Sequence, residues 1–317
     1  MKCLFIADRP QDLHPDGDTT LYMIREALKR GFKAFYTVPE RVYWSGASLY
    51  ADADPVRSCA KHTLPRLGPR EKLSFQADVD AAFIRKDPPF DQKYISLCWL
   101  LAAHESRILM LNKPSLLLRY HEKVLPLDAV GGGFLGPEDI VPTCLTADWE
   151  RAEEFVRSLD GSHIVLKPWL GYGGNDIRRI EREAFLKDPR GFALEGGGCM
   201  IQPYYDAVER DGDRRGFFFR GKYFGSVVRV PKKGEYVSNL AQGGKAVALE
   251  LSDRERVLVE KMETWLEKSG IVFAGSDFID GRLSEINVTS PTGFASYEAL
   301  YGADPAGALF DAFLESP

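Results

Sequence analysis

Cysteine is scarce in this chain: five cysteines occur among 317 residues, and no two of them form a CxxC pair. They lie far apart, at Cys3, Cys59, Cys98, Cys144 and Cys199. An odd number of widely spaced cysteines fits reduced thiols better than a disulfide framework or a zinc site. Reduced thiols in turn favour a cytoplasmic location.

Long apolar runs and an excess of positive charge are also missing. The N-terminal segment MKCLFIAD has too short an apolar run for a signal peptide, and no run approaches the length of a membrane span. The formal net charge of −5 argues against general binding of nucleic acid. We therefore expect a soluble protein without membrane or nucleic-acid partners. The length of 317 residues exceeds that of a typical domain, so we expect two or three lobes.

The sequence shows no Ser-His-Asp set, no nucleophilic cysteine and no Walker A loop. Its glycine-rich stretch instead follows a lysine: Lys167 ends a predicted strand, and Gly171, Gly173 and Gly174 come after it. Glycines permit close approach of the backbone to a bound group. We interpret the stretch as a β-hairpin flap whose N–H groups cover a polyphosphate. The glycine run at residues 131–133 lacks both the strand and the lysine, and we interpret it as a connection.

The N-terminal third of the chain predicts one α/β domain. A buried strand at Cys3–Ala7, a helix capped by Asp18 and a strand at Phe35–Val38 form a parallel α/β unit. Another strand, Ala81–Ile84, runs into the RKDPPFD segment at residues 85–91, where two prolines predict a loop. Open α/β sheets bind ligands at such strand ends. A solvated turn is the alternative interpretation of the same charges.

Three oxygen-bearing side chains lie in a predicted hairpin near the C-terminus. The dipeptide Asp280-Gly281 favours a tight turn; Asp277 precedes this turn, and Glu285 and Asn287 follow it. Glu285 and Asn287 are two residues apart and so share one face of a strand. Carboxylate and amide oxygens on a rigid hairpin suit Mg²⁺ that is shared with nucleotide phosphates. An ordinary solvated hairpin face is the alternative.

The register of this hairpin decides whether the three side chains can meet. With a plain two-residue turn, Asp277 would pair with Ser284, and the carboxylates of Asp277 and Glu285 would point to opposite faces. A bulge, or an odd loop such as residues 280–282, would instead pair Asp277 with Glu285. The magnesium hypothesis therefore predicts one of these two irregularities.

The segment between the flap and the hairpin contributes further candidates. Residues 200–205 predict a strand that runs into a turn, with a free backbone edge for a purine. Residues 211–215 predict a tight turn. Arg229 lies in a predicted strand, where a charge needs a partner or a ligand. The loop at residues 231–245 has the length at which functional loops become common.

Taken in order, these motifs are similar to those of the bacterial glutathione synthetases, which are ATP-grasp carboxylate–amine ligases. The resemblance covers nearly the whole chain and is strongest in RKDPPFD (85–91), NKP (112–114), EK (122–123), KP…GxGG (167–174), DGDxR (211–215), NLAxGG (239–244) and EINVTSPT (285–292). It implies an α/β chain in which an ATP-grasp fold follows a Rossmann-like N-terminal domain. The implied parts are a substrate domain at residues 1–120, a central lid domain at 121–201 and a C-terminal domain with the metal hairpin at 202–317.

The resemblance also implies roles for individual residues. Those that bind ATP are Lys123, Lys167, Gly173, Gly174, Gln202, Tyr204 and Asp213, with the backbone near residues 202–204 holding adenine. Those that bind two Mg²⁺ ions, with Mn²⁺ as the alternative ion, are Asp277, Glu285 and Asn287. Those that bind substrate are Arg85, Arg229, Ser290 and Thr292, and the catalytic residues are Arg229 and Arg215. A homo-oligomer is implied as well.

The implied reaction joins γ-glutamylcysteine to glycine, so the expected partners are small molecules: an acidic peptide or amino acid, and an amine. ATP first converts the carboxylate into an acyl phosphate, because a carboxylate oxygen is a poor leaving group, and the amine then attacks. Three positions depart from the family pattern: Val237 and Ala295 replace arginines, and Leu170 replaces an acidic residue. These departures support a ligase for another amino acid or peptide pair as one alternative. A non-catalytic ATP-binding regulator is the other alternative. The presence of Asp277, Glu285 and Asn287 argues against it, because a protein that only binds ATP need not keep every metal-binding residue.

Overall fold

The computed structural model describes residues 1–171, 177–194, 198–232 and 244–315. Its strands are β1 (Lys2–Ala7), β2 (Lys33–Thr37), β3 (Val42–Ser45), β4 (Ser48–Ser58), β5 (Arg66–Leu67), β6 (Glu71–Ser74), β7 (Ala81–Arg85), β8 (Leu109–Leu111), β9 (Cys144–Thr146), β10 (His163–Pro168), β11 (Arg178–Glu181), β12 (Cys199–Pro203), β13 (Asp213–Phe219), β14 (Lys222–Val230), β15 (Lys245–Val247), β16 (Phe273–Ile279) and β17 (Arg282–Asn287). Its α-helices are α1 (Thr19–Lys29), α2 (Phe75–Asp78), α3 (Gln92–Ala102), α4 (Pro114–Arg119), α5 (Leu125–Gly131), α6 (Trp149–Ser158), α7 (Arg182–Lys187), α8 (Ala207–Asp211), α9 (Asp253–Ser269), α10 (Phe294–Tyr301) and α11 (Pro305–Leu314). Short 3-10 helices cover Pro10–Asp12, Pro39–Arg41 and Pro189–Phe192. Within this part of the chain, no helix combines the length and the apolar character that crossing a membrane requires.

The first sheet is built from residues 2–111 and has a parallel centre. Its order is β3-β4-β2-β1-β7-β8, with β5 and β6 paired to β4. Strands β2, β1, β7 and β8 run parallel, as the strand–helix–strand pattern predicted. Helix α1 connects β1 to β2 and begins at the predicted cap, where Oδ1 of Asp18 accepts a hydrogen bond from the Thr20 N–H at 2.7 Å. The RKDPPFD segment consequently leaves the sheet at the carboxyl end of β7, beside the end of β1.

The second sheet is antiparallel and carries one of the predicted lysines. Its order is β11-β10-β12-β9. Lys167 is the second-to-last residue of β10, opposite Met200 of β12. Buried side chains of this sheet and of α6 and α7, among them Ile164 and Phe185, form a core that is built from residues 144–201. The second sheet therefore has an apolar core of its own.

The third sheet places the predicted arginines next to the hairpin. Its order is β15-β14-β13-β16-β17, with all neighbours antiparallel. The tight turn predicted at residues 211–215 is wrong, because α8 ends at Asp211 and β13 begins at Asp213. Gly212 makes the connection with a φ of 76°, and a Cβ there would lie 2.4 Å from the carbonyl oxygen of Arg229. Asp213 and Arg215 therefore share one face of a strand.

The last two helices connect the first and third sheets. Phe83 of β7 stacks on Phe310 of α11, with ring centroids 5.1 Å apart. Phe217 of β13 meets Phe294 of α10 edge to face at 5.7 Å. These aromatic contacts belong to one buried apolar cluster that spans both sheets. We retain the three-part division of the chain as a proposal, with the second boundary moved to follow Pro203, because β12 continues to that residue.

Candidate active site

The hairpin formed by β16 and β17 contains the irregularity that the magnesium hypothesis required. Ile279 pairs with Arg282 across a two-residue turn, and Phe278 pairs with Leu283. The register then shifts, so that Asp277 pairs with Glu285 and Ser284 is the extra residue. The predicted bulge is thus confirmed, and the three-residue loop at 280–282 is not formed.

Both residues of the turn adopt left-handed backbone conformations. Asp280 has a φ of 51° and Gly281 a φ of 67°. Two successive positive φ values define the type I′ turn, whose twist matches that of the flanking strands. The Asp-Gly pair favours this turn, which explains why the sequence located it.

The bulge brings the three predicted metal-binding side chains to one face. Asp277, Glu285 and Asn287 are partly exposed, whereas Phe278 and Ile286 of the opposite face are buried in the core. The side-chain oxygen of Asn287 accepts a hydrogen bond from Thr289 Oγ1 at 3.2 Å. The donor set consists of hard oxygens, as Mg²⁺ prefers. Within the described residues, no three or more His, Cys, Asp or Glu side chains are grouped to hold an ion. The set therefore suits an ion whose coordination is completed by phosphate and water.

Two buried lysines reach this face from other parts of the chain. Lys167 Nζ donates to Glu285 Oε1 at 2.8 Å, which joins the second sheet to the third. Lys123 Nζ donates to Glu122 Oε1 at 2.9 Å and to the carbonyl oxygen of Gly171 at 2.5 Å. The predicted meeting of the strand-ending lysine and the distant hairpin is confirmed.

The charges in this cluster set one another's protonation. Burial opposes the charge on Lys123, but the carboxylates of Glu285 and Glu122 outweigh it and raise the pKa of Lys123. Burial also opposes the charge on Glu285, yet Lys167 and Lys123 together lower the pKa of that carboxyl. For Glu122, burial is the stronger influence, and it raises the pKa despite the neighbouring lysine.

Glu122 is a site residue to which the sequence assigned no role. Its backbone carbonyl accepts a hydrogen bond from the Ile286 N–H at 3.2 Å, so the segment that carries Lys123 lies along the edge of β17. Its side chain holds Lys123 Nζ. The EK motif contains Glu122, and adjacency to Lys123 was the available signal.

The two predicted catalytic arginines share one carboxylate. Arg215 binds Asp277 through two parallel hydrogen bonds, Nε to Oδ1 at 2.6 Å and Nη2 to Oδ2 at 3.0 Å. Arg229 Nη2 donates to the same Oδ1 at 2.9 Å, and its Nε donates to Asp213 Oδ1 at 2.8 Å. Burial disfavours the ionised form of Asp277, but the two guanidinium groups hold the pKa of that carboxyl well below its ordinary value. The partner that Arg229 needed in its strand is therefore a pair of aspartates.

The substrate-binding candidates surround the loop that follows β17. Arg85 is 2% exposed; its Nη2 donates to the Pro291 carbonyl at 3.1 Å and its Nε to Thr20 Oγ1 at 3.3 Å. Arg215 Nη1 donates to the carbonyl of Thr292 at 3.1 Å, and Ser290 is buried. Arg85 forms no salt bridge with a carboxylate in the described part of the chain, and burial lowers its pKa.

The proposed adenine edge is partly engaged by the protein itself. The N–H of Tyr204 donates to the carbonyl of His163 at 3.1 Å, and Gln202 and Pro203 pair with Val165 and Ile164 of β10. The Gln202 side chain is buried, and its Nε2 donates to Thr143 Oγ1 at 2.9 Å. The remaining predicted residues of the flap and of the long loop, Gly173, Gly174 and Val237, lie outside the described residues.

Comparison with known proteins identifies the family to which the chain is similar. The model of the prokaryotic glutathione synthetase N-terminal domain matches residues 1–118, and the model of the prokaryotic glutathione synthetase ATP-grasp domain matches residues 135–302. A glutathione synthetase from Neisseria meningitidis serogroup B is 32% identical over 326 residues, covering 98% of each chain. One from Agrobacterium fabrum is 31% identical, covering 96% of this chain and 93% of the relative.

Solved structures share the fold at lower sequence identity. D-cycloserine synthetase DcsG superimposes with a TM-score of 0.66 at 15% identity over 99% of each chain. The macrocyclase MdnC from Microcystis aeruginosa, bound to its precursor peptide MdnA, gives a TM-score of 0.65 at 13% identity over all of both chains. At these identities the likeness concerns the fold alone. The chain thus belongs to the prokaryotic glutathione synthetase family, and it is an ATP-dependent carboxylate–amine ligase with an ATP-grasp fold.

Proposed function

We propose that this ligase is a glutathione synthetase, which joins the carboxylate of γ-glutamylcysteine to the amine of glycine. The observation that carries the proposal is the meeting of Lys167 and Glu285 at 2.8 Å beside the Arg215–Asp277 pair. This arrangement gathers cations for phosphates, oxygens for a metal and arginines for a reacting carboxylate in one site. The full-length similarity to glutathione synthetases supports the choice of substrates.

The metal-binding face has the donors that a Mg²⁺–ATP complex requires. Asp277, Glu285 and Asn287 would hold the ion, which neutralises phosphate charge when it is bound. The family uses ATP and a divalent metal in general. We propose two Mg²⁺ ions, with Mn²⁺ as the alternative.

In the first step, a carboxylate oxygen of the acid attacks the γ-phosphorus of ATP, the bond to the bridging oxygen breaks, and ADP leaves. Lys123 and Lys167 would stabilise the phosphates, since both are buried and positively charged. Each lysine is paired with a carboxylate, Lys123 with Glu122 and Lys167 with Glu285. The phosphates would therefore replace part of an interaction that already orients both Nζ atoms.

In the second step, the amine attacks the carbonyl carbon of the acyl phosphate, phosphate departs and the new amide nitrogen loses a proton. Two neighbouring aspartates keep Arg229 charged by raising its pKa, although burial opposes this. A fixed guanidinium can stabilise the oxyanion that forms on attack. Arg215 is held against Asp277 by two hydrogen bonds and would orient the same carbonyl group.

Arg85 is the proposed anchor for a carboxylate of the acid substrate. It is a buried cation that forms no salt bridge in the described residues; Asp18 and Asp87 favour its charge, but burial outweighs them and lowers its pKa, so a ligand carboxylate would stabilise it further. Its bond to the Pro291 carbonyl places it against the loop with Ser290 and Thr292.

A ligase for a different acid and amine is the second candidate. Leu170, which replaces an acidic residue, is 53% exposed near the start of the flap. Ala295, which replaces an arginine, lies in the first turn of α10, directly after the substrate loop. Leu170 and Ala295 both replace charged side chains in the region where we expect the substrates. These two replacements therefore favour a less polar acid or amine.

Two further proposals concern the assembly state and the cellular location. We propose a homo-oligomer, to be measured by light scattering. We also propose a cytoplasmic enzyme, which the free state of all five cysteines supports.

The deciding experiment measures ADP release from the full-length protein with Mg²⁺–ATP and pairs of candidate substrates. We expect ADP release that depends on both γ-glutamylcysteine and glycine, with glutathione as the product by mass. Replacing either substrate in turn with other acidic peptides, amino acids and amines tests the second candidate. ADP release with a different pair alone would overturn the glutathione assignment, and ATP binding without turnover of any pair would favour a regulator.

A further inference from the structure

The side chain of Asn112 lies at the open end of the metal hairpin. It is 2% exposed, and its Nδ2 donates to the carbonyl oxygens of Phe273 and Val288, both at 2.7 Å. Its Oδ1 accepts hydrogen bonds from the N–H groups of Val272 at 3.0 Å and Phe273 at 2.9 Å. One amide thus uses both its N–H donors and both its acceptor sites on backbone groups.

These bonds connect different domains of the chain. Asn112 directly follows β8, an outer strand of the first sheet. Phe273 begins β16, and Val288 directly follows β17, so the amide touches both strands of the hairpin in the third sheet. The final pair of the hairpin ladder is Gly275 with Asn287, and Asn112 binds the backbone just beyond it.

The hairpin is consequently fixed at both ends. At the closed end, the Asp280-Gly281 turn and the bulge set the register of Asp277 against Glu285. At the open end, the distance between the strands depends on the two carbonyls that Asn112 holds. Asn287 precedes Val288, and its position relative to Asp277 therefore depends on this contact.

We propose that Asn112 is a positioning residue for the metal-binding face: its amide fixes the spacing of β16 and β17 and thereby places Asn287 with the two carboxylates. The inference rests on the proposed metal role of Asp277, Glu285 and Asn287. Outer contacts that orient metal-binding side chains typically change metal affinity by about 10- to 100-fold when they are removed.

The test uses Asn112→Asp and Asn112→Ala in the full-length protein. The aspartate keeps the size and an accepting oxygen but directs an oxygen at the carbonyls of Phe273 and Val288. Alanine removes all four bonds. Mn²⁺ binding in the presence of a non-hydrolysable ATP analogue is measured by electron paramagnetic resonance, and analogue binding without metal is measured by calorimetry. We expect Mn²⁺ affinity to fall about tenfold or more in both variants, with metal-free analogue affinity nearly unchanged.

Ile24→Ala is the matched control for a general loss of stability. Ile24 is fully buried in α1, in the same N-terminal part of the chain, and the apolar cluster to which it belongs contains none of Asp277, Glu285 and Asn287. This variant should lower the melting temperature while leaving Mn²⁺ affinity within about twofold of the parent, because distant sites act independently.

The outcomes separate the inference from the proposed function. If the Asn112 variants lower the melting temperature but keep the parent's Mn²⁺ affinity, Asn112 is a structural residue only and the inference is wrong. Loss of Mn²⁺ affinity in a protein that does not turn over γ-glutamylcysteine and glycine would support the positioning role and overturn the substrate assignment. Should the alanine variant fail to fold, the aspartate variant decides, and slow hydrogen exchange at Val272 and Phe273 in the parent protein is the second measurement that the inference requires.

Discussion

Lys167 Nζ lies 2.8 Å from Glu285 Oε1, although 118 positions separate the two residues in the sequence. The contact joins β10 of the second sheet to β17 of the third. Both side chains are largely buried, with 9% and 22% of the side chain exposed. Neutralising either residue would leave the other as an unpaired buried charge, which is unfavourable. The stability of the protein therefore depends on both charges being present. A phosphate that takes up Lys167 would release Glu285 toward a metal ion, and nucleotide and metal binding should therefore support each other.

The first prediction concerns Glu285→Gln. The amide keeps the shape of the side chain but removes the charge, and we expect ligation to fall at least about 100-fold, because charge stabilisation of several kcal/mol is lost. Circular dichroism should show an unchanged fold, and ADP release measures the activity. Glu260→Gln, at an exposed position of α9, is the control and should retain full activity. Activity within a few-fold of the parent would show that Glu285 does not hold the metal.

The hairpin shows what the sequence can and cannot predict. Its turn was predictable because Asp280-Gly281 is a local signal, and the alternation of side chains located the candidate face. The position of the bulge was not predictable, because it depends on long-range packing. Phe278 and Leu283 must both enter the core, and Ser284 Oγ faces Gln202 Oε1 of the second sheet at 3.5 Å. The sequence could state only that some irregularity was required.

The contacts of Arg229 also show which features the sequence predicts and which it does not. That Arg229 needed a partner followed from its place in a strand. That its partners are Asp213 and Asp277 follows from the strand order β14-β13-β16, which brings Arg229 to aspartates 16 and 48 positions away in the sequence. The turn predicted at residues 211–215 was wrong for a local reason, since Gly212 alone connects α8 to β13 and Asp213 is already the first residue of the strand.

The second prediction concerns Lys123→Ala. Lys123 is paired with Glu122 and holds the Gly171 carbonyl, so its removal should weaken ATP binding about tenfold or more while leaving the KM of the acid substrate nearly unchanged. Lys123→Arg keeps the charge and should lose less. Steady-state kinetics with each substrate varied in turn gives both constants. An equal rise in both KM values would contradict a specific phosphate role.

The third prediction concerns the pH dependence of stability. Burial, with a smaller effect of the charge on Lys123, lowers the pKa of His121 to about 4. A histidine in the unfolded chain titrates near about 6.5, so between these values the unfolded state binds the extra proton. The free energy of unfolding should therefore fall by up to about 3 kcal/mol as the pH decreases from about 6.5 to about 4. His121→Gln should lose this part of the slope. Urea unfolding across this range measures it, and equal slopes for parent and variant would contradict the prediction.

The fourth prediction concerns Gly281→Ala. The φ of 67° at this position is unfavourable for a side chain with a Cβ, so the substitution should lower the free energy of unfolding by about 1–2 kcal/mol. Contact with Arg254 should matter less, because the nearest atom is a flexible side-chain carbon at 3.1 Å. Gly281→Asn is the matched variant and should cost less, since asparagine tolerates this conformation. Urea unfolding compares the three proteins. A larger loss with asparagine than with alanine would mean that the turn is not held in its left-handed form.

The last prediction separates binding from stability at Arg85. This guanidinium is buried against Thr20 and the Pro291 carbonyl and forms no salt bridge in the described residues, and burial lowers its pKa despite the charges of Asp18 and Asp87. A buried charge of this kind is unfavourable in the free protein, so Arg85→Met, which fills a similar volume with apolar atoms, should leave stability equal or raise it. If the charge of Arg85 binds a carboxylate of the substrate, Arg85→Met should raise the KM of the acid substrate at least about tenfold, while the KM of ATP changes little. Arg85→Lys keeps the charge but not the planar fork, and its KM for the acid substrate should lie between those of the parent and the methionine variant.

Thermal unfolding and steady-state kinetics on the parent, Arg85→Met and Arg85→Lys measure the stability and the KM values. A methionine variant that is less stable but binds the acid normally would identify Arg85 as a structural support of the loop at Pro291, and the carboxylate anchor would then have to lie elsewhere.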